Sequence, residues 1–143
     1  MKKIAALLAA GLMCLSASAV DVPNLIGSGF EAYKASGSKA AVAVWLRSAP
    51  AGANINTSGL PPDIGPGVES PDAWGPMDSY EIVAAFSPTA RLRRIYAVAY
   101  FPQGPLFCSF DLYKVSGAWT VYATKFSPRP DEVLPVELIE KSN

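Results

Sequence analysis

Asp111, in the stretch "FCSFDLYK", is flanked by large apolar residues, and the alternation around it is the first pattern in the chain that could do chemistry. A carboxylate beside tyrosine hydroxyls is an acid-base set, able to take a proton at one group and give one at another. Cross-strand pairing predicted from the turns places Asp111 between Tyr96 and Tyr122, one diagonal step from Arg94, with Glu81 near enough to join. Two outcomes fit these residue types. One is a structural ion pair on a sheet face, the favoured reading because such surface pairs are common and modest in energy. The other is a base and a cation oriented for proton transfer, with Tyr96 or Tyr122 as donor.

Cys108 is the second candidate. A reactive thiolate needs a cation or a helix N-terminus beside it, and the same pairing sets Lys125 opposite Cys108. Burial as a small hydrophobe is favoured over reactivity. The chain has no histidine, which removes Ser-His and Cys-His catalysis and histidine metal sites, so neither a metal nor a cofactor is expected.

The start of the chain bears on compartment. "MKK", then "IAALLAAGLMCL", then "SASA" has the charged start, short apolar run and small-residue end of a secretory signal peptide, residues 1–19, with the cut after Ala19. The apolar run is too short to span a bilayer, and Met13 disfavours a lipid anchor on Cys14. The expected product is a single periplasmic domain, residues 20–143, with no membrane span after processing. Losing Lys2 and Lys3 leaves ten basic against twelve acidic residues. That balance gives no basic face for nucleic acid; "RLRR" at Arg91 to Arg94 reads as solvated charge at a strand end. Cys108 is then the only thiol, so no intramolecular disulfide forms.

Those residues must be held by a scaffold, and the pattern predicts one. "SGFE" at Ser28 to Glu31 fits a capping box opening a helix, Gly37 fits its end, and Ser38 fits the cap of a second helix, "KAAVAVWLR", with Ala41, Val44 and Trp45 on one face. From Ala49 to Gly75 proline and glycine recur too often for regular structure, giving a long loop that Trp74 is placed to pin down. Four strands follow: Ser79 to Phe86, Arg91 to Phe101, Leu106 to Val115 and Ala118 to Phe126. "PQGP" and Ser116-Gly117 join the last three as hairpins.

Provided no strand bulges, the register divides the sheet into two faces. One collects Ile95, Ala97, Ala99, Phe101, Leu106, Cys108, Phe110, Leu112, Trp119, Val121 and Ala123, a core face. The other collects Tyr96, Tyr100, Phe107, Tyr113, Tyr122 and Phe126 with Arg94 and Asp111. Left bare, that second face would be an apolar patch larger than monomers usually carry. Either a two-fold homodimer buries it, or the C-terminal stretch "DEVLPVELIEKSN" covers it. On the core side, Ala97, Ala99 and Ala123 leave room that is either a pocket for a small apolar ligand or space filled by Trp45.

Two helices, a loop and a curved antiparallel sheet of about four strands make an α+β, cone-like domain. From Phe30 to Pro135 the order "F..Y...G....AV..WL...P", a Gly/Pro-rich loop, then the strands, resembles small exported members of the nuclear-transport-factor-2-like, or cystatin-like cone, superfamily; the "GPLF.SFDLYK...W" hairpin carries most of the likeness. The resemblance implies a bent, helix-covered sheet with a mouth at one end, often dimeric through the outer face. It implies little about function, since most exported members have no established activity. Its ketosteroid-isomerase-like and dehydratase-like enzymes use acids, tyrosines or a histidine inside the cone, whereas here the register leaves Trp45, Tyr80, Cys108, Trp119 and Lys125 facing inward with no acid-base pair. Those five are the candidate ligand-binding residues of a non-catalytic binding or interaction domain. A small isomerase or hydro-lyase using Asp111, Tyr96 and Tyr122 is the alternative.

Overall fold

The computed structural model describes residues 22–47, 49–51, 53–61 and 74–140. The leader with its cut after Ala19, and Asp63, Glu69 and Asp72 of the loop, lie outside the described residues. The first helix, α1 (Asn24–Ser36), begins upstream of the expected capping box, with Pro23 at its N-cap and no side-chain cap. Proline's fixed φ suits that position, and starting there brings Ile26 onto the same face as Phe30 and Tyr33, all three buried. Ser28 and Glu31 consequently sit inside the helix. Gly37, at φ 89°, donates its N–H to the Tyr33 carbonyl at 2.8 Å and leads directly into α2 (Ser38–Trp45), which buries Ala41 and Trp45.

The sheet comprises β1 (Asn54–Ile55), β2 (Ser79–Thr89), β3 (Leu92–Phe101), β4 (Gly104–Val115) and β5 (Ala118–Ser127), in the order β1-β5-β4-β3-β2. The four long strands are antiparallel, as expected, and β1, formed from the loop, pairs parallel to β5. The class is α+β. Ser116 and Gly117, at φ 48° and 79°, form the two-residue turn between β4 and β5, whose two left-handed residues match the twist of the strands.

Two departures from the expected register decide where the side chains go. Pro102 and Gln103 alone turn β3 into β4, so Phe101 pairs with Gly104 and the strands slide by two residues. The faces are unchanged, but Asp111 now stands directly opposite Arg94 rather than Tyr96. In β5 the pairing shifts between Asp111 and Leu112, with Leu112 on Val121 and Asp111 on Ala123, so Tyr122 is the extra residue of a β-bulge. Because side chains alternate with period two, that one residue inverts the rest of the strand. Phe126, expected outside, pairs with Cys108 and is buried; Lys125, expected opposite Cys108, pairs with Ser109 and is exposed. A similar shift in β2 leaves Val83 as an extra, exposed residue.

The core lies between the helices and the inner face. Trp45 meets Phe30, Phe110 and Phe126, and Phe30 stacks on Tyr80 with ring centroids 4.6 Å apart. Trp74 packs edge-on against Phe101, anchoring the end of the loop as its position suggested. Beyond β5, α3 (Pro130–Val133) and α4 (Val136–Glu140) form a C-terminal segment. Ser127 donates a hydrogen bond to Glu132, and Val133 is buried outside the main core. This segment crosses the outer sheet face, so the fold has three layers.

Candidate functional site

Of the residues expected to form an inner site, Trp45 and Cys108 belong to the buried core and Tyr80 and Trp119 pack against it. Trp45 is 2 % exposed and its indole N–H donates to the Ile26 carbonyl at 3.2 Å, which satisfies its one polar atom inside the core. Cys108 is fully buried, with its thiol pointed at the Leu106 carbonyl at 3.6 Å. Burial pushes the Cys108 pKa far above the thiol range, the reverse of what a nucleophile needs. Tyr80 is half-buried against Phe30. Trp119 lies at the sheet's far end, with the Arg93 guanidinium 4.3 Å and the Lys114 ammonium 5.7 Å from its ring. Lys125 is on the opposite face. Four of the five residues thus share the inner side, whereas Ala123, expected there with Ala97 and Ala99, pairs with Asp111 beyond the bulge and lies on the outer face with Lys125.

The outer face is different. A cavity of about 610 Å³ lies between the sheet and the C-terminal segment, with Phe86, Tyr96 and Tyr122 on the sheet side and Pro135, Glu137 and Leu138 on the other. Arg94 and Asp111 also line it. They form a bidentate pair, Nε to Oδ1 at 2.5 Å and the terminal nitrogen to Oδ2 at 2.9 Å. The hydrogen bond to Asp111 raises the Arg94 pKa above its already high ordinary value, with Tyr96 a lesser contributor. All three members of the expected acid-base set, Asp111, Tyr96 and Tyr122, therefore line one cavity. Glu81 does not join them: it accepts the Tyr100 hydroxyl at 2.5 Å, a bond that raises the Tyr100 pKa. Among the described residues no cluster of histidine, cysteine, aspartate or glutamate is arranged to hold a metal, and no helix is long and apolar enough to cross a membrane.

Compared with known proteins, the chain matches no family model, no curated protein and no solved structure. Its reading therefore rests on its own chemistry.

Both oxygens of Asp111 accept hydrogen bonds from Arg94, so the carboxylate is held in a fixed orientation by the guanidinium fork. Residues that sequence reasoning did not assign to a site, Phe86, Leu92, Pro135 and Leu138, supply the apolar wall. The available signal was in the tail: "VLPVEL" carries apolar residues at positions that no core helix or strand claims.

Proposed function

We propose that this chain is an exported, periplasmic, non-catalytic binding domain of the nuclear-transport-factor-2-like cone type, and that its ligand occupies the outer cavity under the C-terminal segment. The observation that carries this reading is the cavity's make-up. It has a volume in the range of small-molecule sites, mostly apolar and aromatic walls, and a few polar groups converging at its floor. The helix-helix-sheet order and the "GPLF.SFDLYK...W" hairpin support the family. Self-association through the outer face belongs to this proposal only where the C-terminal segment is displaced, since that segment now lies over the aromatic residues.

The test is native mass spectrometry on protein taken from the periplasm, with and without Leu138→Lys. A bound small molecule lost in the variant supports the reading. A ligand retained by Leu138→Lys and lost instead on substitution of Val42, the α2 residue that lines a hollow with Leu60 and Pro61, would place the site elsewhere. The isomerase alternative draws on the meeting of Asp111, Tyr96 and Tyr122 in one cavity; turnover of a neutral ketone that Asp111→Asn abolishes would favour it over simple binding.

A further inference from the structure

A second cavity, of about 530 Å³, adjoins the first. Pro50, Ala51 and Ala53 of the segment before β1 form one side, and Tyr113, Tyr122 and Ala123 form the other. Leu92 and Tyr122 line both cavities, so the bulge that makes Tyr122 the extra residue of β5 also sets it where the two meet.

The two ends differ in charge. The first cavity holds Arg94 against Asp111 and Glu137, with Arg94 closed onto Asp111, while the guanidinium of Arg93 lies over Trp119 on the other face. Among the described residues no ionised side chain lines the second. Next to Tyr113, which lines it, is Arg91, whose guanidinium lies 4.8 Å from the centre of the Tyr113 ring and donates to the Tyr113 hydroxyl and, at 3.4 Å, to the Lys114 carbonyl. Among the described residues no carboxylate lies within ion-pair distance of Arg91.

We propose that the two cavities form one site for a medium-chain carboxylate, with its head at Arg91 and Tyr113 and its chain running over Leu92 and beside Tyr122 towards Phe86 and Leu138. This rests on the outer-cavity reading above and adds the ligand's class and direction. Asp111 and Glu137 outnumber the one guanidinium of Arg94 in the first cavity and disfavour an anion there, whereas Arg91 offers a guanidinium for which no acid among the described residues competes. The walls between are apolar or aromatic, which suits an alkyl chain and offers it little hydrogen bonding. From Tyr113 on β4 to Phe86 on β2 is two inter-strand spacings, about 10 Å, within the reach of a medium-length alkyl chain.

Isothermal titration of the full chain with decanoate and with decanol tests this, on the unaltered protein, Arg91→Gln and Arg91→Lys. The expected result is tighter binding of decanoate than of decanol, a preference reduced about five-fold in Arg91→Gln, the size of one partly exposed ion pair, and largely kept in Arg91→Lys. Arg91 is exposed in a turn, and the alcohol, bound equally by all three proteins, reports that the cavity is intact. Equal affinity for acid and alcohol, or a preference that survives Arg91→Gln, overturns the placement of the head while leaving the cavity as a site. Failure of both ligands to bind the unaltered protein overturns the carboxylate proposal, and a co-purified molecule of another class, lost in Leu138→Lys, would show that the cavity reading survives it.

Discussion

Gly29 and Trp45 are in direct packing contact: a Cβ built on Gly29 would fall 1.9 Å from Nε1 of the indole. The glycine is what lets the α2 tryptophan lie against α1 and donate to the Ile26 carbonyl.

Gly29→Ala therefore sets two effects against each other. Alanine in a helix interior is worth about 1 kcal/mol over glycine, while forcing a methyl into a packed core costs about 1–3 kcal/mol. At this separation the clash wins, because Trp45 is enclosed by Phe30, Phe110 and Phe126 and has nowhere to move. Urea unfolding should show a net loss of about 1–2 kcal/mol. A variant as stable as the parent, or more so, would mean that Trp45 is not held as described.

Cys108 should resist thiol reagents in native buffer and react on unfolding, since burial both blocks access and holds the thiol neutral. The pH dependence follows from the direction of the shift. The folded pKa lies above the unfolded one, so the contribution to stability is complete below the unfolded thiol pKa of about 8.5 and is lost as pH rises beyond it, by about 1.4 kcal/mol per pH unit at most. Comparing urea midpoints at pH 8 and pH 10 should give a steeper loss for the parent than for Cys108→Ala, in which only the thiol titration is removed. Parallel losses would contradict burial of the thiol.

The bulge at Tyr122 makes a pair of opposite forecasts for neighbouring residues. Phe126→Ala should cost about 3–5 kcal/mol, as for a large aromatic removed from a core, and Lys125→Ala should change stability by no more than about 0.5 kcal/mol. The uninterrupted register would have reversed the two. Measuring both variants by urea unfolding therefore tests the bulge itself.

That bulge also marks the boundary of what the residues disclosed before folding. The four strands, the Ser116-Gly117 turn and the core face up to Val121 follow from alternation and turn chemistry, because both act between near neighbours. The inversion at Phe126 does not, since "TVYATKF" alternates plausibly in either register and the extra residue is placed by pairing with β4 and β1. The start of α1 was misplaced for a related reason: Ser28 and Glu31 offer a local cap, but burying Ile26 in the core outweighs it. The candidate ion pair and tyrosines were readable as a group. Their cavity was not, because its other wall comes from Pro135, between two helices, and from Glu137 and Leu138, in a helix too short to show a period.

The C-terminal segment gives the last forecast. It lies across a face that includes Tyr96 and Val98, 6 % and 7 % exposed in the single chain, and it is held there by the Ser127–Glu132 hydrogen bond and by Val133. With the segment in place, the apolar patch that would drive pairing is partly covered, and sedimentation equilibrium at micromolar concentration should return the mass of one chain. Ending the chain after Arg129 removes the cover, and the bared aromatic surface should then self-associate, with far-UV circular dichroism confirming that the sheet persists. Adding Tyr113→Lys and Tyr122→Lys to the shortened chain should restore the monomer, because two charges on that face cannot be buried against their own copies without a large desolvation cost. An intact chain that is already dimeric, and that the two lysines split, would show that the outer face pairs with a second copy despite the segment lying over it.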